Sequence, residues 1–272
     1  SFIPSNAKII YCKLNYLIDK KIINPKLSLK YILSPTTSLN HIDLRLTNEK
    51  KIKILNLNPK SKDIKLITST GEYTISLILS SVRRLFSFTD TPLIDYLKKR
   101  YLFNIFQFRN YTVGIIGLGR IGSYLNNHLK PLAFKTITYD KKTDKVSKLN
   151  ELLKKSDIIS INIDSKNNHN FFNKKKFNLK KKNVIIINTS RGEVVDEKDL
   201  ILFLKQNPDS FAILDVIKNE QKQLDKNLLL EYKKKYKNLI IFPHLGGSTK
   251  DAMEIADDYV FKKLLKIYEK KN

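Results

Sequence analysis

The sequence predicts an α/β protein built on a parallel, doubly wound sheet, and three observations predict it. Short apolar clusters recur along the chain with polar, helix-like stretches between them. One cluster, Val113-Gly114-Ile115-Ile116, runs straight into a glycine-rich turn with a helical pattern behind it. The clusters that follow are spaced as strands alternating with helices, the layout of a parallel sheet.

Taken in order, residues 8–11 and 29–33 read as short strands with a helix-prone segment between them, and 52–57 as a third strand. From 71 to 88, Ile75, Leu77, Ile78, Leu79, Val82, Leu85 and Phe86 are spaced for the buried side of one long helix. A strand at 113–116 leads through the turn to a helix over 121–129. Further strands are expected at 136–139, 158–163, 184–188, 211–214 and 239–242, and an amphipathic helix at 251–268. The organisation is a small α/β unit over 1–80, a nucleotide-binding unit over 81–247, and a helix over 248–272 returning to the first unit.

Composition narrows the function classes. At 272 residues the chain buries one large core or two modest ones, and its 42% apolar content is that of a globular protein. No stretch offers the roughly 18 uninterrupted apolar residues of a membrane span. The opening Ser1-Phe2-Ile3-Pro4 lacks the layout of a signal peptide. Cys12 is the only cysteine, which excludes an internal disulfide and suits a reducing compartment, so a cytoplasmic protein is expected. The formal charge of +25 raises nucleic-acid binding. Against it, the lysines are spread along the chain, as at Lys174-Lys175-Lys176 and Lys233-Lys234-Lys235, with no basic tail. Isoleucine and asparagine, which share AT-rich codons with lysine, are abundant too. The lysines read as a solvated face that steers anions; no specific nucleic acid, membrane or metal is expected.

The turn Gly117-Leu118-Gly119-Arg120-Ile121-Gly122 has the spacing of a dinucleotide-binding loop. Gly117 permits the tight turn, Gly119 lets backbone approach a pyrophosphate, and Gly122 allows close packing of the helix whose N-terminus faces the phosphates. Asp140 ends the next strand, and 140 − 122 = 18 is close to the offset of a ribose-binding carboxylate. Such a carboxylate repels a 2′-phosphate and favours NAD over NADP.

Three polar residues stand just beyond later strands. Arg191, in Thr189-Ser190-Arg191-Gly192, is placed to clamp a carboxylate bidentately. His244, in Pro243-His244-Leu245-Gly246-Gly247, is glycine-flanked and suited to carry a proton near neutral pH. Glu220 follows Leu214-Asp215-Val216; beside His244 it would favour the imidazolium. His128 and His169 lack such settings and read as structural.

The order of these phrases resembles the D-isomer-specific 2-hydroxyacid dehydrogenases. The match takes in Gly117–Gly122, Tyr139-Asp140, the phrase from Asn188 through Arg191 to Glu197, Leu214-Asp215-Val216 and Pro243-His244-Leu245-Gly246-Gly247-Ser248-Thr249. That family's arginine and glutamate stand about 29 positions apart, and 220 − 191 = 29 here, which favours Glu220 over Glu193 or Glu197. Upstream, the phrase from Ser34 through Thr37 and Ser38 to Leu44 resembles the family's substrate loop, whose amides grip the substrate carboxylate; Thr36 and Ser38 stand where members often carry glycine. Gly71-Glu72 resembles the pair opening the family's interdomain helix.

The resemblance implies a Rossmann nucleotide-binding domain and a smaller flavodoxin-like substrate domain, here without the strand and helix that usually precede the segment at 8–11. It implies reversible hydride transfer between NAD(H) and a small D-2-hydroxy acid or its 2-oxo acid, in a homodimer. Catalysis falls to Arg191, Glu220 and His244, and substrate binding to Arg191, Thr37, Ser38 and Asn15. Cofactor contacts fall to Gly117, Gly119, Arg120, Ile121, Gly122, Asp140, Thr189, Ser190, Asp215, Gly246 and Gly247, with Asp215 either touching the nicotinamide amide or standing behind it. Two alternatives stay open: a nucleotide-sensing, corepressor-like interaction protein, and an inactive dehydrogenase fragment. Tyr16 with Lys20, and Tyr259 with Lys263, have the spacing used by short-chain dehydrogenases but lie in the wrong parts of the chain.

Overall fold

The computed structural model describes residues 3–14, 16–23, 27–87, 105–181, 183–220, 224 and 227–269. The chain forms two compact units, one from Ser1–Ile67 with Gly247–Asn272 and the other from Thr68–Gly246.

In the smaller unit, β1 (Ile9–Tyr11), β2 (Tyr31–Ser34) and β3 (Lys53–Asn56) form a parallel sheet in that order. β2 is central and buried along its whole length. Strand alternation sends Tyr31 and Leu33 to one face and Ile32 to the other. On the first face lies the helix Lys250–Glu269, which presents Ala252, Ala256 and Val260, one turn apart, to Leu33, Leu55 and Leu57. On the second, Ile32 packs with Cys12, Ile18, Ile23, Ile42 and Ile52. The helix expected between β1 and β2 does not form among the described residues. Ile18 is taken into a parallel bridge with Ile42, and the amides of Ile22 and Ile23 both turn back to the Asp19 carbonyl.

The larger unit is a six-stranded parallel sheet in the order β5-β4-β6-β7-β8-β9 among the described residues. Its strands are β4 (Thr112–Ile116), β5 (Lys135–Tyr139), β6 (Ile158–Ile161), β7 (Ile185–Asn188), β8 (Phe211–Leu214) and β9 (Leu239–Ile241). Neighbouring strand residues feed opposite cores: Ile115, Ile158, Ile187 and Ile213 face one side, and Ile116, Ile159, Ile186 and Leu214 the other. Both faces are therefore dry, and near-continuous apolar runs follow from that. The helices Ser69–Val82 and Arg120–Leu129 cover one face through Leu77, Ile78, Leu125 and Leu129. Leu149, Leu152, Leu200 and Leu204, on the helices Val146–Lys155 and Glu197–Gln206, cover the other.

The long helix differs from the span expected at 71–88. It starts at Ser69 and ends at Val82; Arg84 takes a left-handed conformation, φ 52°, and a single 3₁₀ turn follows at Leu85–Ser87. Phe88 lies outside the described residues. Because this helix packs on the large sheet, the break between units falls at Ile67/Thr68, earlier than the boundary at 80 read from sequence.

Candidate active site

Every strand of the large sheet is parallel, so all of its carboxyl ends open on one edge. β4 pairs with both β5 and β6, so the chain winds away from β4 in both directions, and the glycine turn leaves the sheet at this switch point. Gly117 has φ +92°, and a side chain there would press to 2.6 Å from the Asn162 carbonyl oxygen. Gly119 is the opposite: a Cβ added to it meets nothing within 4 Å, leaving open space against its backbone at the start of the helix Arg120–Leu129. That open cradle at a helix N-terminus fits a pyrophosphate. Arg120 and Ile121 open this helix half-buried, and burial pulls the Arg120 guanidinium below its ordinary range. Asp140 accepts from the amides of Leu118 and Lys142, both at 2.9 Å, which sets its carboxylate beside the turn. These residues fit a dinucleotide carrying a free ribose diol.

β7 delivers Arg191. Its last residue, the fully buried Asn188, ties the following loop together: its Oδ1 accepts from the Ser190 amide at 3.0 Å and the Ser190 hydroxyl at 2.7 Å, while its Nδ2 donates to the Arg191 carbonyl at 2.9 Å. Thr189 shares a buried hydroxyl contact of 2.8 Å with Thr74 of the long helix. The Arg191 Nη1 donates to the Ser190 carbonyl at 2.5 Å. Burial draws its guanidinium below the usual range, opposed by the carboxylates of Glu220, Glu193 and Asp164.

β8 and β9 deliver the other two residues. The Nδ1 of His244 lies 2.6 Å from the Glu220 Oε1, with both side chains half-buried. His244 is left-handed, φ 57°, a conformation uncommon outside glycine and enriched at functional turns. Asp215 imposes it. Its carbonyl accepts from the His244 amide at 3.0 Å, and its carboxylate from the amides of Leu245 and Gly246 at 2.7 and 2.9 Å. Burial pushes the Asp215 carboxyl up while those amides pull it back. Asp215 thus stands behind the histidine loop with both oxygens engaged. Sequence reading missed this role, and it missed Asn188; the one available signal was a polar residue ending a buried strand.

Thr37 and Ser38 belong to the smaller unit, on the loop after β2. Among the described residues, no hydrogen bond uses the amide of either. Thr36 shapes this loop, its hydroxyl meeting the Ser34 hydroxyl at 2.9 Å and donating to the Ser38 carbonyl at 2.6 Å. No residue of the loop has positive φ, so its path requires no glycine. Asn15 lies outside the described residues. Gly246 ends the larger unit and Gly247 opens the second segment of the smaller one. Among the described residues, no group of three or more His, Cys, Asp or Glu side chains could hold a metal ion, and no helix is long and apolar enough to cross a membrane.

The chain is similar to known proteins over most of its length. Residues 75–246 match the family described as D-isomer specific 2-hydroxyacid dehydrogenase, NAD binding domain, a span that includes the glycine turn, Arg191, Glu220 and His244. The chain is 28% identical over 277 residues to D-3-phosphoglycerate dehydrogenase of Methanocaldococcus jannaschii, covering 96% of this chain and 50% of that one. It is 28% identical over 272 residues to glyoxylate reductase of Thermofilum pendens, covering 95% and 77%. It therefore spans about half the length of the phosphoglycerate dehydrogenases it matches. Among solved structures, D-lactate dehydrogenase from Aquifex aeolicus, complexed with NAD and lactic acid, superposes with a TM-score of 0.76 at 27% identity, covering 99% of this chain and 86% of that one.

Proposed function

The chain belongs to the D-isomer specific 2-hydroxyacid dehydrogenase family, and from that premise we propose that it transfers hydride between NAD(H) and a small D-2-hydroxy acid or the matching 2-oxo acid. The observation that carries the reading is the 2.6 Å contact between His244 and Glu220, in the same unit as the glycine turn. NAD would be held by the turn and Asp140, and supplies the nicotinamide that gives or takes the hydride.

The chain's own residues do the rest. Arg191 binds the substrate carboxylate bidentately and polarises the carbonyl oxygen. His244 gives that oxygen a proton during reduction and takes it back during oxidation. With Nδ1 turned to Glu220, the exchanged proton is carried on Nε2. Asn188 and Asp215 hold the two loops in place. In the smaller unit, the Thr37 and Ser38 amides are suited to carboxylate oxygens.

The reading extends to a homodimer in the cytoplasm. Cys12 is a buried free thiol that needs no oxidising compartment, and sedimentation of the purified chain tests the dimer. Activity is tested with a panel of small 2-oxo acids and NADH. Turnover of at least one, lost in His244→Ala, is expected; no oxidation of NADH with any of them refutes the activity.

A further inference from the structure

Glu220 reaches His244 from a turn that leaves the core just after the buried Val216 and Ile217. β8 ends at Leu214, and Asn219 makes a left-handed turn, φ 53°, immediately before Glu220. Asn219 is exposed and Glu220 half-buried. A contact of 2.6 Å nevertheless requires the carboxylate to be set within a few tenths of an ångström.

A tie lies two residues upstream. The Lys218 amide donates to the Glu197 Oε1 at 2.7 Å. Glu197 is itself well anchored. It opens the helix Glu197–Gln206, whose preceding Asp196 caps the amides of Lys198 and Asp199, and the helix N-terminus favours a carboxylate there. Burial pushes the Glu197 carboxyl up, and the Lys218 amide draws it back. Lys218 is held at its other end too, its Nζ donating to the Asn170 Oδ1 at 2.5 Å. Just before it, the Ile217 backbone packs so closely on Gly192 that any Cβ at 192 would strike the Ile217 carbonyl. The mechanism above gives Glu197 no part.

We infer that Glu197 is the positioning residue of the Glu220–His244 pair: by accepting the Lys218 amide, its carboxylate fixes the turn that delivers Glu220 to the imidazole. This rests on the pair invoked in the proposed function, but not on turnover. Reach, rather than charge, is what the role requires.

Two mild variants of the full chain separate reach from charge. Glu197→Gln keeps the length and an acceptor oxygen and loses the charge. Glu197→Asp keeps the charge and falls one methylene short. The His244 Nδ1 proton, read by NMR, reports the pair without substrate: a charge-assisted contact holds its resonance far downfield, and Glu220→Gln, which leaves only a neutral acceptor, sets the scale by moving it upfield. Glu197→Gln should leave the resonance where the unaltered chain has it. Glu197→Asp should move it part of the way toward Glu220→Gln, and should add nothing in the Glu220→Gln background, because coupled residues are not additive. In keto-acid reduction, Glu197→Asp should lower kcat by roughly 10- to 100-fold, with KM for NADH unchanged. An unmoved resonance in Glu197→Asp, or a further shift in the double variant, overturns the inference alone. An unmoved resonance in Glu220→Gln overturns the pair and the inference with it. The expected shifts in a chain that reduces no 2-oxo acid support Glu197 and refute the dehydrogenase reading.

Discussion

His244 and His41 sit in different units and in opposite surroundings. His41 is fully buried in the smaller unit, its Nε2 3.1 Å from the Ser34 hydroxyl and 3.9 Å from the Cys12 sulfur, its Nδ1 without a hydrogen-bond partner among the described residues. Among the described residues no hydrogen bond or ion pair joins it to a carboxylate, and burial lowers its pKa to about 4. His244 is half-buried at the sheet edge, 2.6 Å from a carboxylate. The same imidazole is thus kept neutral as a packing group in one unit and offered a counter-charge in the other. Surroundings, not residue type, decide which histidine can exchange a proton with a ligand.

The contrast breaks most visibly through substitution. His244→Ala should lower keto-acid reduction by roughly 10²–10⁴-fold while leaving NADH binding and thermal stability nearly intact. Arg191→Ala should abolish most turnover, since substrate loses both its clamp and its polarising charge. Fluorescence titration with NADH beside initial rates checks both. A His244→Ala variant that retains wild-type rates makes the two histidines equivalent and ends the comparison.

His41 should show its difference in stability. Its pKa is depressed in the folded chain, so the folded state resists a proton that the unfolded state accepts. Stability is then complete above about pH 6.5, and falls as pH drops toward about 4, by on the order of 3 kcal/mol. Urea unfolding between pH 7 and 4 should show that loss, and His41→Gln should flatten it. A His41→Gln protein with the same pH dependence would assign the acid sensitivity elsewhere.

Smaller effects sharpen the charge side of the comparison. Glu220→Gln keeps the shape of the pair and removes its charge, so kcat for reduction should fall by less than in His244→Ala, with KM for NADH unchanged. Initial rates measure it; an unchanged kcat means that the pair does not act in solution. Asp140→Ser should improve NADP use relative to NAD by removing repulsion of the 2′-phosphate, read as the ratio of kcat/KM for the two cofactors. The smallest expected effect is on DNA. A dispersed lysine surface should bind duplex DNA weakly, without sequence preference, at physiological salt, and tight selective binding in a mobility-shift assay would favour the corepressor-like alternative.

Much of the molecule was legible in the sequence because it is written in local pattern. The strands of the large sheet are runs such as 184–188 and 211–214, apolar because both faces are covered. The glycine spacing marked the turn at the switch point, and a polar phrase beyond each buried strand marked Arg191, Glu220 and His244, since parallel strands bring all their carboxyl ends to one edge. Local pattern misled where a tertiary partner competed. Ile18 pairs with Ile42 in place of joining a helix, and the long helix stops at Val82 although apolar spacing continues to Phe86. What only the tertiary structure decided is which polar atoms meet. Glu220 touches His244 across 24 residues, Asp215 holds the histidine loop by amides 30 and 31 residues away, and Glu197 holds Lys218 across 21. Periodicity reports which face of an element is dry. A hydrogen bond to a backbone amide leaves no mark on the sequence of its donor, because every residue but proline has that amide to give.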